Sequence, residues 1–149
     1  MRSSHVRPVG LALAAALAAL TFTSAQAASG TIVALGASNT YGKGVTRNQA
    51  YPAQLQAILR AKGHAVRVIN AGINGNFTRQ MLARMDSAIP KGTSVVILQP
   101  GGNDRRKGET DTGQNLAQIQ GRLSARGVHV VMMETACSAA CRNRPTVST

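Results

Sequence analysis

Four short apolar runs, Thr31–Leu35, Val66–Ile69, Ser94–Leu98 and Val128–Met133, are separated by stretches of helical periodicity, and that alternation leaves few folds open. A strand, a returning helix and a second strand in the same sense make a right-handed crossover. The order β-α-β-α-β-α-β therefore implies a parallel sheet with helices on both faces. The first helix is expected over Tyr51–Lys62, with Pro52 in its first turn, Leu55, Ile58 and Leu59 on one face, and Gly63 as the stop. Thr78 is expected to cap a second helix carrying Met81, Leu82 and Met85, which ends before Pro90. Asp111 or Thr112 opens a third, with Leu116, Ile119 and Leu123 at helical spacing and Gly127 closing it. The methionines at 81, 85, 132 and 133 read as core filling.

Residues 1–27 stand apart from this pattern. Arg2 and Arg7 make a basic start, Val9 to Leu20 is rich in Ala and Leu, and Ala25-Gln26-Ala27 is an A-x-A cleavage signal. These are the marks of a secretory signal peptide, too short for a stable membrane span. The expectation is an exported protein, periplasmic or secreted, whose domain occupies residues 28–133. Removing the first 27 of 149 residues leaves 122, enough for one core.

The formal charge is +12, or +10 once Arg2 and Arg7 are gone. Such an excess invites a nucleic-acid partner. The basic residues are scattered, however, with Arg105-Arg106-Lys107 as their one run, and two Phe, two Tyr and no Trp offer few stacking platforms for bases. The charge reads as a solvated surface, attractive to an anionic lipid or substrate, and no nucleic-acid partner is expected. Cys137 and Cys141 are the only cysteines. Export permits a disulfide between them or to another protein, and they lack the further ligands a metal site needs.

The chemistry concentrates at three strand ends. Gly36-Ala-Ser38 follows the first apolar run, Asn70-Ala-Gly-Ile-Asn-Gly75 the second, and Pro100-Gly-Gly-Asn-Asp104 the third. In parallel α/β sheets the carboxyl ends of the strands are where ligands bind. Ser38 is the candidate nucleophile. The backbone amides of Ser38 and Gly75 and the side-chain amide of Asn103 are candidate donors to the oxyanion that forms when a carbonyl is attacked.

These blocks resemble those of the SGNH (GDSL-type) hydrolases, in particular the small periplasmic thioesterase/lysophospholipase-like esterases. The resemblance runs from Thr31 to about Met133. It maps the family's nucleophile onto Ser38, its oxyanion-hole glycine onto Gly75, and its G-x-N-D block onto Gly101-Gly-Asn-Asp104, with Asn103 as the oxyanion-hole amide. It implies a three-layer α/β/α sandwich with a parallel, flavodoxin-like sheet. It also implies a cofactor-free esterase, thioesterase or lysophospholipase acting through an acyl-serine on a small ester, thioester or lipid substrate. Two departures stand out. Ala37 replaces the family's usual Asp before the serine, and the D-x-x-H block that supplies the base and its orienting aspartate is absent. The remaining histidines, His64 and His129, read as ordinary structural or surface residues. The alternative is therefore an exported binding protein that keeps the fold and the oxyanion pocket without catalysis. A phosphate-binding P-loop is excluded, because five residues separate Gly36 from Gly42 and Gly44 stands where the magnesium-binding hydroxyl belongs.

Residues 134–149 show neither periodicity, and the sequence stops where a doubly wound sheet would add a fifth strand and a last helix. The expectation is a domain truncated after its fourth strand, with a tail produced by a shift of reading frame. Taking the last base of each codon with the first two of the next, Pro145 to Thr149 permits Asp-Gly-Ile-His, a D-x-x-H block.

Overall fold

A computed structural model describes residues 30–133. The expected leader over residues 1–27 and the tail over residues 134–149, with both cysteines, lie outside the described residues. The strands β1 (Gly30–Gly36), β2 (Val66–Gly72), β3 (Thr93–Leu98) and β4 (His129–Met132) form one sheet in the order β2-β1-β3-β4. All three pairings are parallel, as crossovers through helices require. The helices are α1 (Ser38–Tyr41), α2 (Tyr51–Ala61), α3 (Thr78–Ala88), α4 (Gly102–Lys107) and α5 (Thr112–Ala125), with a 3₁₀ turn at Arg47–Gln49. The result is the expected parallel α/β fold with four strands. Among the described residues no helix is long and apolar enough to cross a membrane.

One face of the sheet holds the main core. Val33 and Leu35 of β1 and Val96 and Leu98 of β3 meet Met81 and Met85 of α3 and Ile119 and Leu123 of α5. All eight are fully buried, and each such side chain contributes about 1.5–3 kcal/mol through burial. The methionines of α3 are core filling, as their spacing suggests, whereas Met132, expected to do the same, is exposed on the edge strand β4. On the other face, α2 packs against β2, while Val131 of the edge strand β4 stays 43% exposed.

Three local features depart from the expected elements. β2 continues three residues past Ile69, so Asn70, Ala71 and Gly72 pair with Ala34, Leu35 and Gly36 instead of forming a loop. The Asn70 carboxamide makes this possible by accepting the Gly72 N–H at 3.0 Å, and Gly72 has no side chain to hold α1 away. A Cβ at Gly72 would lie 2.2 Å from the Tyr41 backbone nitrogen, so β2 and α1 approach as closely as they do only with glycine there. The Gly-Gly-Asn-Asp segment, read as a loop, opens α4, whose last turn carries Arg105, Arg106 and Lys107 where cations complement the helix dipole. Thr78 is the first residue of α3 and does not cap it. Its hydroxyl turns to Asp104, and the Phe77 N–H is taken by the Gln80 side chain at 2.8 Å.

Candidate active site

β1 sends its chain to β2 on one side, whereas β3 lies on the other, so the topological switch falls between β1 and β3. Parallel sheets open a crevice at such a point, beyond the strands' carboxyl ends. A cleft of about 150 Å³ lies there, with Ala37, Ser38 and Asn39 from the β1 side and Gln99, Asn103 and Arg106 among its walls on the β3 side. Ser38 and Asn103, predicted to converge, thus share one cavity. Both are half-buried, held in place yet open to the cleft.

Ser38 is presented by a tight turn that Gln99 builds. The Gln99 side-chain oxygen accepts the Ala37 N–H at 3.2 Å, the Thr40 N–H at 3.1 Å and the Thr40 hydroxyl at 2.7 Å. These bonds hold the backbone on both sides of Ser38, and the Gln99 N–H bonds the Leu35 carbonyl at 2.9 Å, which ties the device to the sheet. The Ser38 N–H, at the first position of α1, has no acceptor within its own helix.

Asn103 is oriented from both ends. Its Nδ2 donates to the Asn76 carbonyl at 2.7 Å, and its Oδ1 accepts from the Arg106 guanidinium. An amide nitrogen carries two hydrogens, so one remains for a ligand in the cleft. Asn76 is in turn fixed by Arg84, whose Nε donates to the Asn76 side-chain oxygen at 2.8 Å. The same guanidinium bonds the Gly36 carbonyl at 3.1 Å and the Ala71 carbonyl at 2.8 Å, clamping the ends of β1 and β2 to the turn that supports Asn103. Burial lowers the Arg84 pKa from its ordinary value, but a guanidinium starts so high that it stays charged.

Gly75 occupies a different position. It is the third residue of the turn Ile73–Asn76, closed by the Asn76 N–H on the Ile73 carbonyl at 3.2 Å, and its φ of +80° favours glycine. It is exposed, a Cβ there would meet nothing within 4 Å, and it is not among the residues around the cleft. Its link to Ser38 and Asn103 runs through Asn76, its neighbour in the turn.

Beneath the cleft Asp104 is fully buried and accepts the Thr78 N–H at 2.9 Å together with the Thr78 hydroxyl. Asn115 of α5 donates to the same hydroxyl at 3.2 Å, so three helices meet on this network. A carboxylate at the start of α3 also lies at the positive end of that helix. Gly101 leaves room for it, since a Cβ would fall 2.4 Å from an Asp104 oxygen.

Neither described histidine stands near Ser38. His64 is exposed just before β2, at the opposite end of the sheet, and seven strand residues span about 20 Å. His129 is exposed at the start of β4, paired with Val95. No group of three metal-ligating side chains occurs among the described residues.

Residues 34–148 match the GDSL-like lipase/acylhydrolase family. The chain belongs to that family. Among curated proteins it is similar to the esterase TesA of Pseudomonas aeruginosa, 31% identical over 118 residues, which are 77% of this chain and 59% of that protein. It is also similar to an arylesterase of Vibrio mimicus, 30% identical over 115 residues, covering 75% and 58% of the two chains. Among solved structures, the SGNH-hydrolase family esterase AlinE4 superposes with a TM-score of 0.67 at 32% identity, over 73% of this chain and 61% of that one. The family member described here therefore spans about three-fifths of the length of these relatives.

Of the four supporting residues, Arg84 and Asn76 escape the sequence pattern. Gln99 was visible as the first polar residue after a buried strand, and Asp104 as the last residue of G-x-N-D. Arg84 interrupts the apolar stripe of α3, which marks it as unusual without saying what it binds. Asn76 has no local signal, because its partners come from three different segments.

Proposed function

We propose that this fold carries the nucleophile and oxyanion side of a serine acylhydrolase, acting on an ester, thioester or lipid ester through an acyl-Ser38 intermediate. The observation that carries this is the shared cleft of Ser38 and Asn103 at the switch point, in a chain of the acylhydrolase family. The Ser38 Oγ attacks the carbonyl carbon as its proton passes to a base. The carbonyl oxygen gains the charge, and the free Asn103 Nδ2–H and the Ser38 N–H are its donors; the Gly75 N–H, which the family resemblance implies as a third, belongs to the exposed turn beside Asn76 and not to the cleft walls. Collapse expels the alcohol or thiol, and water then releases the acid from Ser38. Each donor of this kind is worth about 10²–10³ in rate.

Among the described residues no base is supplied to Ser38, because His64 is exposed just before β2 and His129 lies at the start of β4. A second reading is a binding protein that retains the pocket. Small imidazole added to the solution separates the two. If Ser38 is a nucleophile lacking only its base, hydrolysis of a p-nitrophenyl ester rises with imidazole to saturation, above the rate of imidazole alone. Ser38→Ala removes the excess. Identical rates for the parent chain and Ser38→Ala at every imidazole concentration support the binding protein.

We further propose that a D-x-x-H block is encoded in a shifted frame over Pro145–Thr149. The gene is expected to read G as the third base of Pro145 and C as that of Ser148, giving Asp and His in that frame. Other bases at those two positions, or an immediate stop in the shifted frame, contradict it.

A further inference from the structure

We propose that the cleft selects small esters carrying an anionic group, a carboxylate or a phosphate, held by Arg105 and Arg106. The inference rests on the cleft being the ester site and goes on to name the substrate class.

Arg105 and Arg106 both line the cleft with Ser38 and Asn103, both are exposed, and the Arg106 guanidinium bonds the Asn103 Oδ1. Among the described residues no carboxylate lies within 4.0 Å of either one. Of the acids close in sequence, Asp104 is fully buried on Thr78 and Glu109 pairs with Arg79 at 2.8 Å, while Asp111, one of whose oxygens is buried without a hydrogen-bond partner, forms no ion pair with either arginine. Two cations without counter-charges, side by side on one short helix, raise the potential in a concave polar site and attract an anion.

Arg106 also touches the proposed reaction centre. It spends one N–H on the Asn103 Oδ1, and a guanidinium has five. The remaining donors lie next to the amide that would hold the substrate's carbonyl oxygen. An anionic group a few bonds from the scissile carbonyl would thus meet a planar fork able to take both its oxygens at once. The rest of the cleft points the same way. Its volume is about 150 Å³, and the one apolar side chain on its walls is that of Ala37. Drug-sized ligands occupy about 300–1,000 Å³ in mostly apolar pockets, so this cleft suits a short polar acyl group over a long hydrocarbon chain.

The test is a titration of the ¹⁵N-labelled full chain with three ethyl esters: monoethyl succinate, ethyl phosphonoacetate and neutral diethyl succinate. At low salt at least one anionic ester is expected to bind about ten-fold more tightly than the neutral one, the effect of one charge-assisted contact. The shifts should centre on the Ser38 backbone and Asn103 side-chain amides, and whichever anion binds more tightly names the class. In Arg105→Gln, which leaves the Asn103–Arg106 bond in place, the preference should fall to about three-fold. In the Arg105→Gln/Arg106→Gln double variant it should disappear, and 0.5 M salt should weaken it in the parent chain. Equal binding of charged and neutral esters at those amides overturns the inference while leaving the ester site intact. So does an anion preference that survives the double substitution. If no ester moves those signals, the cleft is not an ester site and both readings fall.

Discussion

Asp104→Ala is expected to lower the unfolding free energy by about 3 kcal/mol. The carboxylate is fully buried and takes both the Thr78 N–H and the Thr78 hydroxyl, while Asn115 closes on that hydroxyl from α5. Truncation strands those donors and leaves a hole among three helices. An unsatisfied buried donor costs about 1–3 kcal/mol, and bonds to a charged acceptor sit at the upper end. The total is a large share of the 5–15 kcal/mol that holds a domain of this size together. Asp104→Asn keeps the shape and one acceptor oxygen, so it should cost about half as much. Urea unfolding of the three proteins followed by circular dichroism checks the series. A cost for alanine below about 1 kcal/mol would mean that the network does not join α3, α4 and α5 as described.

Asn103→Ala should do the opposite: little to stability and a great deal to rate. The side chain is half-buried on the cleft wall, and its bond to the Asn76 carbonyl is worth about 1 kcal/mol. Its second amide hydrogen is the proposed donor to the oxyanion, and losing one such donor costs about 10²–10³ in kcat. Imidazole-supported ester hydrolysis provides the assay, and the loss should fall on kcat more than on KM, because the donor acts on charge that develops in the transition state. A rate within three-fold of the parent chain would remove Asn103 from the oxyanion hole.

How much of this was legible in the sequence follows from what each feature depends on. The parallel sheet was legible because apolar runs and helical spacing are local properties, and crossover handedness then restricts how the strands assemble. Ser38 and Asn103 were legible because each sits just past a strand that the pattern identifies. The ends of the elements were less so. Asn70 and Gly72 carry loop-like side chains, yet pairing with Ala34 and Gly36 keeps them in β2, and tertiary pairing outweighs local preference. The supports of the site were mostly hidden. Arg84 reaches two strand ends and Asn76, and Gln99 holds the backbone of a segment about sixty residues earlier, so neither role leaves a mark at its own position. Thr78 illustrates the same point: a hydroxyl at a helix start usually caps it, but a buried carboxylate 26 residues later competes and wins.

The nucleophilic role of Ser38 can be tested by mass spectrometry of the 149-residue chain after exposure to an activated short-chain ester. Among the described residues no histidine stands near Ser38 to activate water, so the acyl group should stay on the chain once formed. The account predicts one adduct on the peptide containing Ser38, removed by hydroxylamine as an ester must be and absent from Ser38→Ala. Acylation confined to hydroxylamine-resistant lysines, or equal labelling of Ser38→Ala, would contradict it.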